Sequence, residues 1–232
     1  MLNNSYRYAC FSVITIMILF WPLAAFSHGV DDSTRDFLLK NTGVQIVPFL
    51  YIGAKHMVTG YDHLLFLLGV LFFLYKSKDI LLYVSMFTLG HSITLLAGVF
   101  YDLQVNAYLI DAIIGLSVVY KGFDNLGGIS QLCVKPPNAK LMVLIFGLFH
   151  GLGLATKLQE FQLSDDSLLT NLVAFNVGVE LGQFTALAFI LLIINFWRTH
   201  SSFNRFSIMV NGLLMSAGFM LIGFQLTGYF IN

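Results

Sequence analysis

Three short polar islands interrupt apolar stretches of the chain: Tyr61-Asp62-His63, Gly90-His91-Ser92 and Phe149-His150-Gly151. Asp111 and Glu180 interrupt two more. A histidine or carboxylate at membrane depth costs at least ~2.5 kcal/mol, and more when nothing pairs with it. A chain that places several there is expected to build one shared polar site. Imidazole beside carboxylate is the chemistry of holding a cation.

Each candidate has a bland alternative. His56 and His63 are seven apart, so they share a helix face but lie roughly 10 Å apart along a straight helix. They reach one ion only if the helix unwinds at Gly60. Asp62 adjoins His63 but points ~100° away from it, which suits a carboxylate that orients a neighbouring imidazole. Thr88 and His91 share a face, with Ser92 and Thr94 beside them. A lone membrane histidine often only bridges helices, but here other donors are expected at similar depth. His150 sits in Gly147-x3-Gly151-x-Gly153, whose glycines permit close helix packing without explaining the imidazole. In Asn176-x3-Glu180-x2-Gln183 the i, i+4, i+7 spacing sets all three on one face. The amides read as inter-helix glue, whereas a glutamate among aliphatic residues reads as functional. Asp111 is a candidate ligand or proton carrier. His200, between Arg198 and Arg205, reads as solvated.

The donor types narrow the ion. Imidazole with carboxylate and amide suits Ni²⁺, Co²⁺ or Zn²⁺. No thiolate accompanies the islands, which argues against Cu⁺, and an all-oxygen cage for Ca²⁺ or Mg²⁺ needs no histidines. These ligands bind metal deprotonated, so acid is expected to weaken binding.

The elements that position these groups are membrane helices. The chain has 232 residues, 57% hydrophobic and 10% charged, against about 25% charged in a soluble domain. Zero net charge gives no case for nucleic acid. Cys10 and Cys133 lie in unlike contexts and predict no disulfide. Residues 1–27 read as a signal peptide: Arg7 is the positive end, Phe11 to Phe20 the apolar core, and Ala25-Phe26-Ser27 the cleavage site. Cleavage there makes His28 the first residue, whose amine and imidazole together can chelate a divalent metal. The alternative is an uncleaved anchor helix. Residues 28–43 then form a short periplasmic segment, and 44–232 an all-α bundle of six transmembrane helices. A spanning helix needs ~20 apolar residues, and the expected spans are Val44 to Tyr75, Ile80 to Tyr101, Ala107 to Phe123, Leu141 to Thr156, Leu168 to Phe196 and Phe206 to Ile231. The first is too long for one straight span, so Pro48 or Gly60 is expected to bend or divide it.

Charge orients the bundle. With the amino terminus outside, the cytoplasmic loops carry Lys76, Lys78, Lys121, Lys135, Lys140, Arg198 and Arg205, a positive-inside pattern. The reading is a multi-pass protein of a bacterial inner membrane with a periplasmic mature amino terminus. At about 1.5 Å per residue, Asp111, His150, Asn176 and Glu180 fall in the outer half of the membrane, and His91 and Gln183 near its middle.

The islands also resemble a known family. The run from His56 to Leu68, HMVTGYDHLLFLL, resembles the first signature of the HupE/UreJ membrane proteins, and Phe87 to Leu95, FTLGHSITL, the second. Phe146 to Gly153, FGLFHGLG, is similar to a third, and Phe175 to Gln183, FNVGVELGQ, to a fourth, all in the family's order. The resemblance implies a nickel, or nickel and cobalt, permease associated with hydrogenase and urease maturation. In one departure, the third helix offers Ile110-Asp111 where the family usually has valine and glutamate, which keeps the carboxylate but shortens it by a methylene.

The leading expectation is therefore an uptake permease, not an enzyme, for a divalent metal held among His63, Asp62, His91, His150 and Glu180. Two others stand beside it. One is a zinc-dependent intramembrane hydrolase with Glu180 or Asp62 as general base. The other is an accessory subunit that hands metal to a partner. The partners left open are a second copy of the chain and a metalloenzyme-maturation protein.

Overall fold

The computed structural model describes residues 43–132, 135, 137–159 and 165–231, and among them it is all-helical. The expected signal peptide, its cleavage site and His28 lie outside the described residues, as do both cysteines. The helices are α1 (Ile46–Thr59), α2 (Tyr61–Leu71), α3 (Ser77–Phe100), α4 (Ala107–Asn125), a short α5 (Gly128–Leu132), α6 (Ala139–Gln159), α7 (Asp165–Arg198) and α8 (Ser202–Ile231). Four of them, α3, α6, α7 and α8, contain segments long and apolar enough to cross a bilayer. Helix α4 has 19 residues and carries Asp111, Lys121 and Asp124. The expected first span is two helices of 14 and 11 residues, divided at Gly60, with Pro48 near the start of α1. Gly60 itself is extended, with φ −71° and ψ 104°.

Three helix pairs carry most of the packing: α3 with α6, α1 with α7, and α4 with α8. Each is closed by glycine. Where Gly90 and Gly147 face each other across α3 and α6, a Cβ on either would run into the other helix's backbone, and one on Gly151 would meet the His91 carbonyl. Gly53 and Gly178 stand the same way between α1 and α7, and Gly115 and Gly218 between α4 and α8. Lipid is as apolar as a leucine side chain, so close backbone approach and inter-helix hydrogen bonds must hold such pairs. Thr94 Oγ1 supplies one such bond, donating to the Leu148 carbonyl at 2.6 Å.

The two ends of the bundle are tied differently. At one end the broken helix α2 meets the carboxyl ends of α4 and α7. Asn125 Nδ2 donates to the Gly69 carbonyl at 2.8 Å and to Asn211 Oδ1 of α8 at 2.8 Å. Arg198 Nη2 donates to the carbonyls of Leu71 and Phe72 at 2.6 and 2.8 Å, acceptors left over at a helix carboxyl end. At the other end Gln159 Nε2 reaches the Gly98 carbonyl at 2.6 Å, and the Gln45 amide donates to Asn171 Oδ1 at 2.7 Å. Between the ends lies an apolar core that includes Phe49, Phe66, Phe87, Phe146, Phe175 and Leu214.

Candidate metal site

Four imidazoles converge inside this core. His56 comes from α1, His63 from α2, His91 from α3 and His150 from α6. The His63 ring is their hub, with its centroid 5.0 Å from that of His56, 5.0 Å from His150 and 6.1 Å from His91. Asp62 and His91 are 0% exposed, His150 1% and His63 4%, so the group is shut away from bulk water. His56 is half-buried.

The break at Gly60 makes the cluster. It turns the His56–His63 pair from neighbours two turns apart into rings in contact. A side chain at position 60 would occupy the site itself, because a Cβ there would lie 2.7 Å from His63 Nδ1 and 3.1 Å from Asp62 Oδ1. The break also starts α2 at Tyr61, which puts Asp62 in its first turn, where the helix dipole favours a carboxylate. His56 lies in the last turn of α1, where the dipole favours a cation.

The hydrogen bonds set which nitrogen faces a ligand. The His150 Nδ1–H donates to the Phe146 carbonyl at 2.7 Å. A carbonyl only accepts, so the neutral ring keeps its lone pair on Nε2. His63 Nδ1 lies 3.1 Å from Asp62 Oδ1, and a proton on Nδ1 likewise leaves the Nε2 lone pair available. A carboxylate behind an imidazole fixes the ring and raises its basicity, the usual support of a metal ligand. Asp62 was expected to turn to a different imidazole, since neighbours on a helix diverge. At the start of α2, beside a glycine, it reaches His63 itself. Asp62, His63 and His150 each offer one ligand atom within 4.8 Å of the others. Neither ring nitrogen of His91 has a hydrogen-bond partner among the described residues.

The other sequence candidates lie elsewhere. Asp111 is outside the Asp62–His63–His150 set: its Oδ2 is 2.9 Å from Lys157 Nζ, in a largely buried ion pair joining α4 to α6. Glu180 is exposed and lines a groove between α3 and α7 with Ser85, Thr88, Ser92, Asn176 and Gln183. The two amides beside it do join helices, as expected. Asn176 and Ser92 are hydrogen-bonded at 2.9 Å, and Thr88 Oγ1 donates to Gln183 Oε1 at 2.8 Å. His200 is exposed, and its Nδ1 lies 3.1 Å from the Phe196 carbonyl.

The sequence reading missed the rings that wall the site. Phe87 packs on His63, His91 and His150 at 6.3, 6.2 and 4.9 Å, Phe66 on His150 at 5.6 Å, and Phe175 on His56 at 6.4 Å. One signal was present: Phe87 precedes His91 by four residues and Phe146 precedes His150 by four, which sets each pair on one helix face.

Such an arrangement can hold a divalent cation of borderline hardness in a dry pocket. A family model described as HupE / UreJ protein matches residues 32–232 of the chain. No curated protein and no solved structure matches it.

Proposed function

The chain belongs to the HupE/UreJ family, and we propose that it is a membrane permease that takes up a divalent transition-metal ion, nickel or cobalt before zinc. The observation that carries this reading is the meeting of four imidazoles and a carboxylate, drawn from four helices, at a glycine break in the bundle core. A site assembled from several helices can be opened and closed by shifting one of them. A broken helix at mid-bundle suits that task, because discontinuous helices recur at transporter sites.

In this reading α1 and α2 together make one crossing, and α4 joins the four long helices to give six. The first 27 residues are an export signal. The bundle end that holds the α2–α3 and α7–α8 turns carries Lys76, Lys78, Arg198 and Arg205 and faces the cytoplasm of a bacterial inner membrane. His63 and His150 hold the ion through Nε2, His91 and His56 complete the imidazole set, and Asp62 supports His63. Glu180 and Asp111 act outside this shell.

The test is accumulation of radioactive nickel in cells that lack other importers. Cells making the protein should accumulate the metal, and His63→Ala or His91→Ala should abolish the gain. Accumulation that survives both substitutions would overturn the proposal.

A further inference from the structure

Glu180 is a carboxylate on the outside of the bundle. It sits about 20 Å from Ser167 and about 27 Å from Arg198 along α7 at about 1.5 Å per residue, near the middle of a membrane-length segment. No hydrogen bond or ion pair joins it to any described residue. A carboxylate facing hydrocarbon at that depth costs several kcal/mol, so such groups line water. The groove around it supplies the space. It has a volume of about 350 Å³, and Ser85, Thr88, Ser92, Asn176 and Gln183 contribute hydroxyl and amide groups to its wall.

A second cavity adjoins it. It is about 10 Å³, room for one water molecule, and is bounded by His63, Phe66, Phe87, Val84 and Gln183 among others. The two spaces share Val84 and Gln183 in their walls. Gln183 is therefore the polar partition between an outer groove holding a carboxylate and an inner cavity that touches the hub imidazole. It is held by Thr88 Oγ1 at 2.8 Å and donates weakly to the Val84 carbonyl at 3.4 Å. Gln183 is buried in this shared wall, at 2% exposure.

We infer that the α3–α7 groove is the water-filled port through which the divalent cation passes between bulk solution and His63, with Glu180 attracting the ion and Gln183 as the movable gate. The inference rests on the permease reading but adds a route to it. The closed gate rests on two hydrogen bonds at one amide, one accepted from Thr88 Oγ1 and one donated to the Val84 carbonyl, so rotating that single side chain breaks both and takes away the polar part of the shared wall. The amide oxygen can meet the ion as it passes, exchanging the Thr88 hydroxyl for the cation.

Cysteine labelling of the full chain in membranes tests the port. In a Cys10→Ser, Cys133→Ser background, Ser85→Cys places a thiol in the groove, and Leu116→Cys places one on the exposed face of α4. A hydrophilic, charged methanethiosulfonate reacts only where water reaches. The inference predicts that Ser85→Cys labels, that nickel slows the labelling, that labelled protein loses nickel uptake, and that Leu116→Cys stays unlabelled with full uptake. Labelling of Ser85→Cys no faster than Leu116→Cys, or uptake that persists after full labelling, would overturn it. So would spontaneous cross-linking of two copies through Ser85→Cys without loss of uptake, which assigns the groove to packing. Purified unlabelled protein is titrated with nickel in parallel. Absence of binding there defeats the permease reading itself, whereas binding with an inert groove defeats only the port. Gln183→Ala should speed nickel exchange several-fold, and a Gln183 that merely ties helices would leave the exchange rate unmoved.

Discussion

The rings of His56 and His63 meet edge to face with centroids 5.0 Å apart, although they are seven positions apart in the chain and two full turns of helix would hold them roughly 10 Å apart. One glycine accounts for the difference. Its extended backbone ends α1 and lets α2 restart, and its missing side chain leaves the space into which His63 and Asp62 turn.

Gly60→Ala should therefore damage the site without unfolding the bundle. The added methyl would meet His63 Nδ1 at 2.7 Å, the His56 carbonyl at 3.0 Å and Asp62 Oδ1 at 3.1 Å. Backbone φ is negative at this position, so alanine's own conformational preferences are not the obstacle. Helix content by circular dichroism should match the parent, while nickel affinity by titration falls about 10–100-fold, the scale set by disturbing ligand support. Unchanged affinity would show that the break does not shape the site.

Asp62→Asn separates charge from shape. The amide oxygen can still accept from His63 Nδ1, but the negative charge behind the ring is gone. Affinity should drop by about 10–100-fold, and Asp62→Ala should be no better. An Asp62→Asn protein that binds nickel as tightly as its parent would reduce Asp62 to packing.

Lys157 and Asp111 form an ion pair apart from the Asp62–His63–His150 set. Both are largely buried. Lys157→Met should cost about 3–5 kcal/mol, the usual loss when one partner of a buried ion pair is removed, and Lys157→Met with Asp111→Asn should recover much of it. Thermal unfolding in detergent measures the loss. Nickel affinity of the double variant should stay near the parent's, whereas a selective loss of affinity would return Asp111 to the ligand set.

Arg198 should prove a clamp on the broken helix. Its Nη2 serves two carbonyls at the end of α2, at 2.6 and 2.8 Å, and its guanidinium lies 4.2 Å over the Tyr75 ring. Each hydrogen bond from a charged group contributes about 1.5–3 kcal/mol, so Arg198→Gln should lower the unfolding temperature. Arg198→Lys should recover only part, because one ammonium cannot reproduce the planar fork. Equal stability of all three proteins would dismiss the clamp.

Sequence periodicity made some of this visible and left the rest hidden for definite reasons. The helical class, the polar islands and the dependence of His56 and His63 on Gly60 could all be read, because they are local: residue type, spacing along one helix, a helix breaker. The direction in which a face looks could not. Asn176, Glu180 and Gln183 share a stripe, yet Gln183 is buried, Asn176 half-buried and Glu180 exposed, since the stripe straddles the edge of the α3 contact. Asp111 belongs with Lys157, 46 residues away, and no helical spacing announces such a pair. Asp62 reaches His63 itself because the 100° rule for neighbours applies inside a helix, and this residue sits where one starts.

The metal's lability separates transport from catalysis. A permease must release its ion, so bound nickel should exchange with a radioactive tracer and leave under mild chelation. A hydrolase would keep a tightly held zinc that survives the same treatment. Equal persistence of zinc before and after chelation would favour the enzyme.

The most direct test of the account is a calorimetric titration of the purified full-length protein with Ni²⁺, beside His63→Ala and His150→Ala. The account predicts one saturable site in the parent that vanishes in both variants, with helix content unchanged. Identical titrations for all three proteins would contradict it, because the imidazoles gathered at Gly60 would then hold nothing.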